Sequence, residues 1–322
     1  MTKSLTNFYS EEQNRQQKLF DLNQKQLNRT VWLRLSSFVI GLGLTIYLIK
    51  DFGWSYIWLA IPFMILFFYL VKKHEHLKWL KAYYKNRIQI CEEESSSIKG
   101  NHKMFDDGKN FIDPAHPYSS DMDLFGRNSL FQFLNRCISL GGRIKLADLL
   151  RNKSDKKTIE KRQSAVQELG HNFEWRHDFR ANGLMLENDG EDKSEILKWL
   201  EEDDLFYKNR FFEAASIVLP LFVFLSIILS FWFLPDRIII LFMFLQLGIV
   251  GGFLRKINRQ HVNISRKHDL IRQFGKLLFK IEHQEFKADL LNELKSNLTK
   301  DKLSSEKEIE KLSNLLRLLD NR

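Results

Sequence analysis

Cysteine is almost missing from this chain: Cys91 and Cys137 are the only two in 322 residues. Two thiols make no disulfide framework, and they point to a reducing compartment. Proline and glycine are also scarce, at 5 and 15. That scarcity excludes turn-rich β architecture and favours long helices. No alternating apolar–polar run reads as a strand. The first 30 residues are too polar for a cleaved signal peptide. Mean hydropathy of -0.30 with 28% charged residues would describe a soluble protein. The apolar residues, however, are gathered into a few blocks whose middles lack Asp, Glu, Lys and His. Their absence counts against an ion or substrate pathway through a membrane.

Four blocks stand out. Trp32 to Ile49 is nearly continuous apolar sequence, interrupted by Arg34, and Gly53 to Val71 follows after Lys50 and Asp51. Ala214 to Leu234 and Ile238 to Leu254 form a second pair, joined by Pro235, Asp236 and Arg237. Each approaches the roughly 20 residues needed to cross a bilayer, and each is apolar all round rather than on one stripe. Unpaired backbone amides in lipid force such runs into helices. The reading is two transmembrane hairpins, with Trp54, Tyr56, Trp58 and Trp232 at interfacial depth. Gly41 and Gly43 in the first block, and Gly248 and Gly252 in the fourth, suit close helix packing.

The formal charge of +9 invites a nucleic-acid reading. The long middle segment 73–210 is balanced, however, and the excess sits in the segments flanking the blocks. Lys72 and Lys73 follow the second block; Arg255, Lys256, Arg259, Arg266 and Lys267 follow the fourth; the hairpin tips carry Lys50 and Arg237. The bias places both tips outside and the N-terminus, middle segment and C-terminus in the cytoplasm. The expected organisation is a helical lead-in (1–30), transmembrane hairpin 1 (31–72), a juxtamembrane helix and loop (73–120), a helical core (121–210), transmembrane hairpin 2 (211–254) and long C-terminal helices (255–322). The lipid bilayer, at the inner membrane, is the first partner this implies.

Within the soluble parts, Leu77, Leu80, Tyr84 and Ile88 place one stripe on a helix over 73–94, ended by Glu92–Glu94 and three serines, with a loop from Ser95 to Tyr118. A first core helix carries Leu130, Leu134, Cys137 and Ile138 and is ended by Gly141 and Gly142. A second carries Ile144, Ala147 and Leu150. A third is capped by Ser154, has Ile159, Val166 and Leu169 as its inner stripe, and stops at Gly170. Phe173–Phe179 reads as a short aromatic helix, and Ile196, Leu197 and Leu200 mark another. After the fourth block, helix runs nearly unbroken to the end, with stripes Leu270–Ile281 and Ile309–Leu319, the latter capped at Ser304 and Ser305.

Chemistry-bearing motifs are sparse. Asp121-x-Asp123 resembles a metal–nucleotide pair, yet a helix entry accounts for it. His74-Glu75-His76 puts its two histidines on different helix faces, unlike a zinc His-Glu-x-x-His. His116, His171 and His177 are isolated. Lys156, Lys157, Lys161 and Arg162 form a basic cluster that can touch phosphate, though Asp155 and Glu160 interleave with it. Residues for catalysis, cofactors or metals are absent from this reading.

A resemblance enters at residues 121–183. Asp-Met-Asp-Leu-Phe-Gly (121–126), Ser-Leu-Phe-Gln-Phe-Leu-Asn-Arg (129–136), Gly-Gly-Arg-Ile-Lys-Leu-Ala-Asp-Leu-Leu (141–150), Lys-Arg-Gln-Ser-Ala-Val-Gln-Glu-Leu (161–169) and Trp-Arg (175–176) occur in that order. Together they resemble the core, or lever, region of MutS-family DNA mismatch-repair ATPases, and more narrowly its membrane-anchored branch. The positions carrying the likeness are Asp123, Leu124, Phe125, Gly126, Ser129, Leu130, Asn135, Gly142, Leu146, Arg162, Gln163, Leu169, Trp175 and Arg176. The resemblance implies an all-α lever linking a DNA-binding part to an ATPase that takes ATP and Mg. The family's phosphate loop, Gly-x-x-x-x-Gly-Lys-Ser/Thr, is absent: Gly275-Lys276 is followed by Leu and lacks the upstream glycine. Phe211-Phe212-Glu213 matches the family's mismatch-reading letters but abuts the third block. The expectation is therefore a lever whose ATPase half is missing, truncated or supplied in trans, with an ATPase module or a second copy as partner and DNA implied by resemblance alone. The alternative is a membrane scaffold binding a protein partner, with no DNA role.

Overall fold

The computed structural model describes residues 2–52, 58, 60–187, 221 and 273–298. They are all helix and loop, with no strand among them. Nearly all belong to one compact unit, Met1–Asp189 with Lys276–Ser304; the second unit, Gly190–Gly275 with Ser305–Arg322, lies almost wholly outside the described residues. Hairpin 2, the Ile196–Leu200 helix, the Leu270 end of its stripe and the Ile309–Leu319 stripe fall outside them too.

The polar lead-in and the first apolar block are one uninterrupted helix, α1 (Thr2–Phe52), of 51 residues. Local pairs such as Gln17 to Asp21 (3.0 Å) and Gln24 to Asn28 (3.0 Å) support its polar half. The antiparallel helix α2 (Ala60–Ile98) packs along it. Register is read from four points: Gly41 lies against Phe63, Phe38 is 5.9 Å from Phe67, Asn23 donates to the Leu77 carbonyl at 2.9 Å, and Gln13 donates to Glu92 at 3.0 Å. Gln16, Asn23, Thr30 and Ser37 recur every seventh residue and are all buried in the seam. That repeat is the signature of a left-handed pair of helices, and a polar seam residue such as Asn23 fixes register at some cost in stability. Toward the tip the seam becomes small: a Cβ on Gly41 would stand 2.7 Å from the Phe63 Cβ. The Thr45 hydroxyl donates back to the Gly41 carbonyl at 2.7 Å.

Beyond the hairpin stem, α2 outruns its expected end at Glu94 by one turn. Ser97 is buried, bonded to His102 and Arg136, and Gly100, at φ 85, ends the helix. Gly100 and Asn101 return N–H groups to Ser97 and Ser96. The loop that follows wraps an aromatic knot. Phe111 and Phe125 pack 5.5 and 5.7 Å from Phe131, which is fully buried, and the Arg151 guanidinium lies over Phe125 at 5.1 Å. A 3-10 turn at Lys109–Phe111 begins at Gly108, whose φ of 68 admits no side chain cheaply.

The short helices depart from the sequence expectation in detail. α3 covers only Leu130–Leu134, because Asn135 leaves the helix and turns its amide to the Asp106 carbonyl. Gly141 and Gly142 do not end it. They lie in the first turn of α4 (Leu140–Arg151), whose cap is Ser139, accepting from the Gly142 N–H at 3.1 Å. α5 (Lys156–His171) is capped by Asp155, one residue after Ser154, and runs past Gly170 to His171. Its inner stripe is also corrected: Ala165 is buried while Ile159 and Val166 are exposed. The apolar periodicity was a misleading guide there, because the face that packs is that of Lys161, Ala165 and Glu168, which meets residues 287–293 through polar groups. α6 (Phe173–Glu187) is twice the expected length. The C-terminal helix is broken: α7, described over 273–282, stops at a turn, and α8 (Asp289–Leu298) begins anew. The α5 carboxylate of Glu168 makes that break, accepting the Lys287 and Ala288 N–H groups at 2.8 and 2.6 Å.

Candidate functional site: the ion-paired seam

Where α1, α2 and α6 meet, the core is more polar than apolar. Its greasy part is small: Ile90, Ala181 and Leu184, flanked by Tyr83. Around it the chain places charge in pairs. Arg87, on the inner face of α2, has a side chain 3% exposed and donates through Nη2 to Glu12 of α1 and Glu174 of α6, both at 2.9 Å. One guanidinium therefore joins three helices. A turn further on, Arg180 of α6 pairs with Glu93 and with Glu94 (3.0 Å), and Arg136 pairs with Glu94 at 2.6 Å. Arg136 also stacks on Phe105, 3.7 Å from the ring centre. On the side facing α7, Asp178 accepts from Tyr83 at 2.7 Å and pairs with Lys280. Trp175 donates to the Lys280 carbonyl at 3.2 Å, and Lys276 lies over Trp79 at 4.1 Å.

Burial shifts the titrating groups of this seam. The His177 imidazole is 4% exposed, packed against Phe173 and Tyr9, with its proton affinity lowered to about 3 by burial and by Arg87, Arg176 and Arg180. It is neutral at any physiological pH. Burial pushes the Cys91 thiol up to about 12 and raises Cys137, so neither supplies a thiolate nucleophile. Tyr83 is raised by burial and by its bond to Asp178, and stays a neutral donor. The arrangement holds α1, α2 and α6 in register. Among the described residues no three His, Cys, Asp or Glu side chains gather as metal ligands.

The residues that carry the resemblance sit mainly at structural joints. Leu124 is buried, and Asp123 (φ 45) and Gly126 (φ 99) make the turn that returns backbone bonds to Leu130 and Asp107. Phe125 belongs to the aromatic knot. Ser129 is buried as the α3 cap, Asn135 is buried between α3 and the Asp106 strand of loop, and Leu130 is exposed. Gly142 fits beneath Cys137 and Ser139, and Leu146 is half-buried on α4. Arg162 donates to Ser154 at 2.7 Å, Gln163 is exposed, Leu169 is half-buried, and Arg176 donates to the Gly170 carbonyl. Asp121 is exposed in the same turn. The basic cluster is not brought together: Lys156 lies 3.9 Å from Glu160, Lys161 faces Glu293 at 3.9 Å, Arg162 turns inward, and Lys157 is exposed. His116 reaches the Arg151 carbonyl, and His171 its own helix.

Sequence reading missed the seam. One signal was available: Arg87 falls in the stripe that runs Leu77, Tyr84, Ile88, Cys91, where a charge demands a partner. Its partners lie 75 and 87 residues away, so nothing local names them.

No protein-family model, curated protein or solved structure matches this chain.

Proposed function

We propose that this protein is a membrane-anchored helical lever, a MutS-like core whose hairpin α1–α2 is rooted in the inner membrane and whose cytoplasmic half is welded to the core. The observation that carries the reading is the contrast along one hairpin. At the tip end, Trp32, Leu35, Phe38, Val39, Ile40, Ile46, Met64, Ile65 and Phe68 are exposed on all sides. One helix among the described residues, Ser4–Asp51, is long and apolar enough to cross a bilayer, and 17% of its most apolar stretch is buried. A core helix of a soluble protein is mostly buried, and an exposed apolar surface this extensive calls for lipid. At the other end the same two helices bury Arg87, Glu12 and Asn23 against each other and α6. Of the roughly 76 Å of α1, about 30 Å suffices for the bilayer, leaving about 45 Å as a rigid stalk. Both tips face outward, and both termini and the core face the cytoplasm.

Coupling to a P-loop ATPase module that takes ATP and Mg, with DNA as its distal ligand, rests on the residue likeness at 121–183. The support added by geometry is that Leu124, Phe125, Ser129, Asn135 and Trp175 among these residues lie in packing contacts, caps and turn bonds. The test is affinity purification of the full chain in mild detergent from its own cells. Co-purification of a MutS-type ATPase bearing Gly-x-x-x-x-Gly-Lys-Ser is the expected result; recovery of the chain with no nucleotide-hydrolysing partner sinks the lever reading. The second reading, a scaffold for a protein partner without DNA, is favoured by the scattering of Lys156, Lys157, Lys161 and Arg162. Salt-dependent duplex DNA binding by the purified complex would decide against it.

A further inference from the structure

The hairpin carries, at the base of its apolar half, a band of cations with no ion pair among the described residues. From Leu22 to Ile49, α1 has no acidic residue but holds Lys25, Arg29 and Arg34. The register fixed by Asn23–Leu77 and Phe38–Phe67 sets residues 29–34 of α1 opposite residues 70–73 of α2. Arg29, Arg34, Lys72 and Lys73 therefore share one level, within about 8 Å along the axis. Arg29, Lys72 and Lys73 are exposed and Arg34 is half-buried. None of the four has an ion pair among the described residues, whereas Arg87, Arg136, Arg180 and Lys280 all do. The nearest acidic residues in sequence are Asp21 and Glu75, both on the stem side of this level. Trp32, 71% exposed, sits within the band, and the exposed apolar surface begins immediately beyond it.

We infer that this band is a collar for the headgroups of anionic phospholipids. The inference rests on the anchored reading, and it goes beyond it by assigning a lipid class and the residues that select it. A zwitterionic headgroup offers the four cations no net countercharge, whereas each anionic one does, at about 1 kcal/mol per basic residue near the surface. Arg34, deepest of the four, reaches outward along its own apolar stem. Trp32 fits the amphipathic boundary that headgroups create.

The test reconstitutes the full chain into nanodiscs of phosphatidylcholine alone or of an equal mixture with phosphatidylglycerol, and counts retained lipids by native mass spectrometry. The collar predicts preferential retention of phosphatidylglycerol, reduced by about two orders of magnitude in the triple variant Arg29→Gln, Lys72→Gln, Lys73→Gln. The charge-keeping variant Arg29→Lys should retain it, as should Lys153→Gln with Lys157→Gln on the core. Equal retention of both lipids, or a preference that survives the triple variant, overturns the collar while leaving the anchor standing. Displacement of the lipid by inorganic phosphate from detergent-solubilised protein would reveal a simple oxyanion site and overturn the lipid assignment. Failure of the chain to enter either nanodisc would instead refute the anchored reading, and the collar with it. Far-ultraviolet circular dichroism checks that the triple variant keeps its helices.

Discussion

His177 and Arg87 sit side by side in the seam and make opposite demands on it. The imidazole is held neutral, with its proton affinity lowered from 6.5 to about 3. In the unfolded chain it returns toward 6.5, so between about 3 and 6.5 the unfolded state binds a proton that the folded state refuses. This group therefore subtracts stability progressively as pH falls through that window and contributes nothing above it. Thermal unfolding of the detergent-solubilised chain should show a midpoint that falls with pH below 6.5, and His177→Phe should flatten the slope. Arg87 must stay charged and paired. Arg87→Ala leaves the buried Glu12 with only Gln16 and the exposed Arg15, at 3.4 Å, as partners, a loss of up to about 3–5 kcal/mol. Replacing both, as Arg87→Met with Glu12→Leu, should recover most of that in denaturant titrations, since the pair's own desolvation cost disappears with it. A double variant as unstable as the single one would show that Arg87 acts through Glu174 instead.

At the scale of elements, two joints can be tested by single substitutions. Gly41→Val puts a branched side chain where the Phe63 Cβ and ring root stand within 2.8 Å, and these atoms cannot swing away as a flexible tip would. Hairpin packing should weaken by about 1–3 kcal/mol, read as loss of helix–helix cross-linking between cysteines placed at Phe38 and Phe67, which face each other across the seam. Glu168→Gln removes the negative charge that accepts the Lys287 and Ala288 amides. Amide exchange of α8 should accelerate by roughly tenfold, consistent with losing a charged cap worth about 1 kcal/mol or more.

The same joints show what was legible in the residues. α1 and α2 were readable because their apolar blocks exceed any competing signal, and α4 because Ile144, Ala147 and Leu150 keep helical spacing. The error at Gly141 and Gly142 came from treating glycine as a stop, when Ser139 supplied a start just before them. The stripe on α5 failed because Ile159 and Val166 keep helical spacing yet face away from Ala165. The break before α8 was invisible because its cause, Glu168, lies 119 residues away. Of the seam, Arg87 alone stood out of pattern; Glu12, Glu174 and Arg180 read as ordinary surface charges until folding brought them together.

For the whole molecule, the proposed anchoring gives one hairpin two solvents. One half is exposed and apolar on every side, the other is polar and locked by charge to a small helical core. Ser129, Asn135, Gly142 and Trp175 tie that core to its loop and to α7 through a cap, a side-chain hydrogen bond, close packing and an indole bond. The most direct measurement is topology labelling of the full chain in intact cells. With Cys91 and Cys137 replaced by serine and alanine, a single cysteine is placed either at Lys50, by the hairpin tip, or at Lys153, on the exposed loop between α4 and α5. A membrane-impermeant maleimide should label position 50 from outside and reach position 153 only after permeabilisation. Labelling of both sites, or of neither, in unbroken cells would contradict a hairpin that crosses the membrane and carries its core inside.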